Sequence, residues 1–400
     1  MNYDYQTREL PVTGQFANTL LKVQLLVVLL YFLIIPLKSE FLTHNILLLG
    51  TFLSMYCIVS ICILRELNAR RLFMILLLGI TALVSLLLSV HYMRSDLLYS
   101  LVCFFFLAIM ICVNRYVEIR VEFIHFVFWV TLAIAVVVSV YSFMPFAFWR
   151  NNGTTSPNLT LYLGNSNYTG MLLLNILCLL WATSYGEKYH WLVFPLSGYL
   201  LYLIWLTGSR TCILGGLVFT VLSVRRSERP ISRKLTFICM MLPVVFVPFY
   251  LWLFGKSQYW GVRILGKSLF TGREDTFTAY LSYLRTPGQW LVGNLCEVSL
   301  QNAHNAPLAV LCSLGVIGAV LFFGLFYRAV WTNNTAINHP TARTSVAALL
   351  AICVASCGEA SMFLGGFPGV GFMFLFLWLS NYRSADSVPE EGEELCTPVS

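Results

Sequence analysis

The chain has 400 residues, 58% of them hydrophobic and only 11% charged, with a formal net charge of +7. A soluble surface alone calls for about a quarter charged residues, so composition excludes an ordinary soluble domain and implies an integral membrane protein. The basic excess is thinly spread between apolar runs, which assigns it to membrane topology and not to nucleic-acid binding.

The N-terminal segment Met1 to Asn18 is polar and lacks the short apolar core and small-residue cleavage site of a signal peptide, so the first span is expected to stay as an anchor. Spans of about the ~20 residues needed to cross a bilayer are expected at 19–36, 45–64, 72–90, 97–113, 123–146, 169–185, 191–208, 211–224, 235–254, 306–327, 344–363 and 367–381, twelve in all. Continuous apolar stretches without two-residue alternation exclude a porin-type barrel.

Lys and Arg in short loops are retained in the cytoplasm, and they gather on one side here. Arg65, Arg70, Arg71, Arg115, Arg120, Lys188, the run from Arg225 to Lys234, Arg328 and Arg343 lie on that side with both termini. The opposite short loops hold only Lys38, Arg94, Arg150 and Arg210. The expected fold class is all-α: a polytopic integral membrane protein of about 12 transmembrane helices, with one larger periplasmic loop bearing short amphipathic helices. Its expected parts are an N-terminal transmembrane bundle at 1–168, a membrane region at 169–381 that includes the loop 255–305, and a disordered acidic cytoplasmic tail at 382–400. The 12 cysteines fall mostly inside spans and Cys296 has no obvious partner, so no disulfide framework is expected.

Two outer loops are long. The first, about 147–168, carries Gly164-Asn-Ser-Asn-Tyr-Thr-Gly170, rich in turn formers and amide donors. The second is too small to bury a core of its own and must lean on the bundle. Within it, Thr271-x-x-Glu274 has the spacing of a capping box. Phe277, Tyr280, Leu281 and Leu284 then follow with helical periodicity up to Pro287-Gly288. This predicts a short amphipathic helix against the membrane surface, with Arg273 in its first turn, where free N–H groups favour an anion. The alternative for Arg273 is a solvated pair with Glu274 or Asp275.

His304 precedes the tenth span, with Asn305 as the expected helix cap and Pro307 in the first turn. A lone histidine is more often structural than catalytic. Glu359, beside Gly358 in the eleventh expected span, is an ionisable group at a depth where such groups are paired or functional. Gly215-Gly216 and Gly315 with Gly318 read as sites of close helix packing.

Four segments in this order resemble the O-antigen ligase and polysaccharide polymerase superfamily of bacterial envelope glycosyltransferases. Gly164-Asn-Ser-Asn-Tyr resembles the G-N-P-N element, Thr207-Gly-Ser-Arg210 the T-G-S-R turn and Gly272-Arg273-Glu-Asp-Thr-Phe the G-R-x-x-x-W/F segment. Ala303-His304-Asn305 with Leu314-Gly-Val-Ile-Gly318 resembles the H-N…L-G-x-x-G element. Ser166 replaces the usual Pro, and the P-L-x-G-x-G stretch is reduced to Pro287-Gly-Gln-Trp-Leu-Val-Gly293.

The resemblance implies a metal-independent, cofactor-free inverting enzyme of the bacterial inner membrane with its site facing the periplasm. The donor would be an undecaprenyl-pyrophosphate-linked glycan. The acceptor would be a lipid A core sugar for a ligase, the favoured reading, or another lipid-linked repeat for a polymerase. Membrane lipids are the other expected partners, and nucleic acid is not one. Arg210, Arg273 and His304 are the expected catalytic residues, with Arg210, Arg273, Asn165, Asn167, Asn305 and Glu359 binding substrate. Arginine suits a leaving diphosphate because it stays protonated and forms forked hydrogen bonds, while His304 would act as base or positioner toward the acceptor hydroxyl. A transporter is the alternative from another class, which should place polar groups at mid-depth beside interrupted helices.

Overall fold

The computed structural model describes residues 121–149, 158–161, 165–224, 228–264, 267–270, 272–294, 304–359 and 369–382, with a few isolated positions between 19 and 33 and at 119 and 163. The expectations for the four spans before 121, for Arg150, Gly164, Thr271 and Cys296, and for the tail beyond 382 lie outside the described residues or touch them only at isolated positions.

The described chain is mostly helical. Its helices are α1 (Val121–Tyr141), α2 (Ser166–Thr183), α3 (Val193–Thr207), α4 (Arg210–Val224), α5 (Arg233–Phe254), α6 (Arg273–Ser282), α7 (Pro287–Val292), α8 (Ala306–Thr335), α9 (Pro340–Ala355) and α10 (Gly369–Leu379). Each expected span from 123 onward coincides with one of them. Among the described residues, five helical stretches are long and apolar enough to cross a membrane: α1, α2, α3 with the preceding turn from His190, α5 and α8. The helices α4 and α9 are apolar but shorter. Two antiparallel two-stranded pieces lie outside the helices, β1 (Phe148–Trp149) with β2 (Asn158–Leu159) and β3 (Arg263–Ile264) with β4 (Lys267–Ser268).

α9 is the centre of the packing. Every residue from Thr341 to Ala355 is buried, and α4, α2, α5, α10 and α8 surround it. The tightest of these approaches is set by Gly215 of α4, where an added Cβ would stand 3.0 Å from the Ala351 carbonyl oxygen of α9. That is the close packing expected of Gly215. α1 shares the same hydrophobic core with α2 across the boundary expected at 168.

Arg343 shows how this core is closed at one end. It lies within α9, not in a loop, and is 9% exposed. Its guanidinium binds the carbonyls of Leu222 and, at 3.1 Å, Arg229. At the same end, Asn334 of α8 forms two 2.9 Å bonds with the backbone N–H and carbonyl of Ile231.

α8 is not a straight rod. Tyr327 donates to the Met240 carbonyl (2.5 Å), and Asn305 donates to the Pro243 carbonyl (3.0 Å), both on α5. At ~1.5 Å rise per residue, positions 305 and 327 of a straight helix would stand roughly 33 Å apart, whereas their partners on α5 are separated by only about 4.5 Å. The chain therefore folds back between them. The bend is at Gly315, whose φ of 65° and ψ of −172° are non-helical. α7 locks it: a Cβ on Gly315 would stand 2.2 Å from the Leu291 carbonyl oxygen, and one on Gly293 would stand 2.2 Å from that of Ser313. Gly315 is thus a packing glycine as expected, but between a short helix and a bend.

Three local expectations need correction. The cap of α6 is Gly272, at φ 81°, without a side-chain cap bond. Glu274 still reaches back to the Gly272 N–H at 3.1 Å, which is half of a capping box displaced by one residue. Pro287-Gly288 does not end the segment but opens α7, because Thr286 and Gln289 form a complete capping box there. Glu359 lies beyond the end of α9, not within a helix.

Candidate functional site

The N-termini of α4, α6 and α8 meet the C-terminal end of α9. Gly358 is the point of convergence. A Cβ placed on it would stand 2.3 Å from Arg273 Nη1 and 2.7 Å from Thr211 Cγ2, the latter on the residue after Arg210. Only glycine leaves room for the Arg273 guanidinium to lie across the backbone here.

Arg273 is the first residue of α6, and its Nη2 lies 3.3 Å from Glu359 Oε1. It makes this pair across 86 positions of sequence. Glu274 is instead buried and accepts from Gly272 N and from the Tyr250 hydroxyl, at 3.2 Å, through its other oxygen.

Arg210 opens α4 after a turn in which Gly208 takes φ 63° and the Thr207 hydroxyl accepts from Ser209 N at 3.2 Å. Just outside the expected span, Arg210 is partly buried. Burial first, then the nearby Arg273 charge, lower its pKa from the ordinary arginine value, with Tyr250 acting in the opposite direction. The residue after Arg210, Thr211, lies with the Arg273 guanidinium at Gly358, so the starts of α4 and α6 meet there.

His304 adopts φ 52°, one of two non-glycine residues with positive φ among the described residues. Such a conformation costs about 1–3 kcal/mol and persists where surrounding structure imposes it. Its Nδ1 is buried, without a hydrogen bond, and lies 3.8 Å from Glu359 Oε1. One carboxylate oxygen therefore faces both Arg273 and His304.

Asn305 imposes the backbone beside His304. Its Oδ1 accepts from Leu308 N at 2.8 Å, which makes it the cap that the sequence predicts. Its Nδ2 donates to Pro243 O at 3.0 Å and to Cys357 O at 3.3 Å. The side chain is fully buried and both amide protons are taken, so Asn305 ties α5, α8 and the end of α9 together. Pro243 lies in the middle of α5, so the start of α8 crosses that helix part-way along its length.

Asn165 is exposed and caps α2, accepting from Asn167 N at 2.9 Å and Tyr168 N at 3.3 Å. The Asn167 carbonyl accepts from Cys212 Sγ at 3.7 Å. Gly170 packs on Thr207 and Cys212, where a Cβ would meet Thr207 Oγ1 at 3.0 Å. The start of α2 therefore rests on the turn that presents Arg210. Arg273, His304, Glu359 and Asn305 are brought together by these contacts; Arg210 adjoins them through Thr211 and Asn167 through Cys212, both on α4, while Asn165 only caps α2.

Sequence reasoning did not find Tyr250, and it did not give Gly358 or Glu274 a part in the site. Tyr250 sits in an apolar span with no local signal. Gly358, beside an acidic residue at the end of such a span, was the one visible cue. No known family model matches this chain, and no curated protein matches it.

Proposed function

We propose that the chain is a membrane glycosyltransferase. It moves a glycan from undecaprenyl pyrophosphate to a lipid A core sugar on the periplasmic face of the bacterial inner membrane, as an O-antigen ligase. The observation that carries this reading is the meeting of the N-termini of α4, α6 and α8, with Arg210 opening α4 and Arg273 opening α6, beside the Glu359 carboxylate. Such a place favours an anion of more than one charge. A diphosphate leaving group has that character, and fixed donors aimed at it stabilise the charge that develops as it departs.

In the proposed reaction, the acceptor hydroxyl oxygen bonds to the anomeric carbon while the bond from that carbon to the phosphate oxygen breaks. The hydroxyl proton passes to His304, and undecaprenyl pyrophosphate leaves against Arg210 and Arg273. A single displacement inverts the anomeric centre. Glu359 Oε1 lies 3.8 Å from Nδ1 of His304, so the carboxylate faces that side of the ring and Nε2 is the nitrogen assigned to the acceptor proton. The four motif segments support the same assignment, as does the meeting of the segments that carry Arg210, Arg273 and His304 beside Gly358 and Glu359.

Two further readings remain specific enough to test. A polymerase would use the same donor chemistry with a lipid-linked repeat as acceptor. A transporter draws support from the break of α8 at Gly315 and from the bond of Asn305 to the middle of α5, since transport sites are built at broken helices. Lipopolysaccharide from a deletion strain separates the three. Bare core with polymer held on its carrier supports the ligase, and core bearing one repeat supports the polymerase. An unchanged pattern with altered solute uptake supports the transporter.

A further inference from the structure

Arg273 has an acidic residue next to it, yet it pairs with Glu359. What keeps Glu274 away is a pair of hydrogen bonds. Its Oε1 accepts from Gly272 N at 3.1 Å, and its Oε2 accepts from the Tyr250 hydroxyl at 3.2 Å, a hydroxyl that also lies 3.3 Å from the Leu269 carbonyl. The Tyr250 ring is itself fixed, edge-on to Phe270 at 5.5 Å and to Phe277 at 5.6 Å, on either side of the turn that opens α6. Gly272 supplies no side-chain cap. The Tyr250–Glu274 bond thus ties the first turn of α6 to α5, beside the ring contact between Tyr250 and Phe277.

We propose that Tyr250 and Glu274 form a positioning clamp for Arg273. The clamp holds the α6 N-terminus so that the guanidinium reaches across Gly358 to Glu359, and it sequesters the Glu274 carboxylate that would otherwise neutralise Arg273 from the adjacent position. Its geometry stands by itself, while its consequence for activity rests on the anion site proposed above. Tyr250 touches no reacting atom in this account. It acts through Glu274 on the placement and charge of Arg273.

The test is labelling of the purified full chain with phenylglyoxal, an arginine reagent, read residue by residue by mass spectrometry. In the wild type, Arg273 is expected to react slowly, and Glu359→Gln should speed it by removing its partner. Tyr250→Phe, which keeps the ring and removes only the hydroxyl, is expected to raise Arg273 labelling several-fold while leaving Arg343 and Arg285 unchanged. Glu274→Gln, which keeps the shape but has one acceptor oxygen for the two donors, should give a smaller rise. Unchanged Arg273 labelling in Tyr250→Phe, with Glu359→Gln raised, overturns the clamp. So does an equal rise at Arg343, which would report general loosening. Inorganic pyrophosphate added to the wild type tests the anion site separately. If it fails to protect Arg273 while Tyr250→Phe still raises labelling, the clamp stands and the diphosphate reading falls.

Discussion

Asn305 and Pro243 are joined by a 3.0 Å hydrogen bond from the asparagine amide to the proline carbonyl, and this bond ties the start of α8, next to His304, to the middle of α5. Asn305 also caps α8 and binds the Cys357 carbonyl. Removing its side chain abolishes a cap worth about 0.5–2 kcal/mol and leaves buried carbonyls without a donor, at about 1–3 kcal/mol more. Asn305→Ala should therefore lower the unfolding temperature of the purified protein, and Asn305→Asp should too, because it restores the cap but not the two donated bonds. A variant as stable as the wild type would show that these bonds are dispensable.

Gly358→Ala is expected to separate stability from activity. The added methyl meets the far end of the flexible Arg273 side chain, which can turn aside, and the buried Thr211 methyl, whose displacement adds a modest loss of stability. What moves is the guanidinium. Losing one charge-assisted bond to the leaving group costs about 1.5–3 kcal/mol, or roughly ten- to 150-fold in transfer rate. The check is transfer by the purified variant beside its melting curve. A large drop in melting temperature with a normal rate per folded molecule would contradict the arrangement.

Gly293 and Gly315 should behave in the opposite way. Each has positive φ, and each would place a Cβ 2.2 Å from a backbone carbonyl oxygen that cannot turn aside. Alanine at either position should cost more than about 3 kcal/mol, in the range reserved for backbone clash and strain. The expected observation is loss of the monodisperse peak in size-exclusion chromatography, or severe thermal destabilisation.

The helices from 121 onward were legible because their apolar runs are long and bounded by polar clusters, and Asn305 and the apolar face of α6 were legible from cap chemistry and spacing. The fold-back of α8 was not. Gly315 looks like any small residue in a span, and only its partners on α7 and α5 reveal the bend. Arg343 was counted as a loop charge because sequence shows its sign and not its burial. Glu359 was visible as an ionisable residue in an apolar run, but its shared position between Arg273 and His304 depends on segments 86 and 55 positions away. Tyr250 left no trace, since a tyrosine in an apolar span is unremarkable until its hydroxyl is seen on Glu274.

His304 and Glu359 can be assigned by comparing conservative variants. His304→Ala should lose about a hundred- to ten-thousandfold in turnover if the imidazole takes the acceptor proton. His304→Gln should be nearly as poor, because an amide keeps one hydrogen bond but cannot carry a proton. Glu359→Gln should slow turnover less than His304→Ala. A glutamine variant of His304 near wild-type rate would leave the residue as a positioner without proton transfer.

The central claim is that Arg210 and Arg273 hold a lipid-linked diphosphate. It is tested most directly by transfer from a synthetic polyprenyl-diphosphate glycan to purified lipid A core, using purified wild type, Arg210→Lys, Arg273→Lys and the two alanine variants at matched folded concentration. Transfer by the wild type is expected without added metal. Each alanine variant should lose roughly ten- to 150-fold, and each lysine variant should recover only part of that, because a point charge does not replace a planar fork. No transfer by folded wild type, or undiminished transfer by Arg273→Ala, would contradict it.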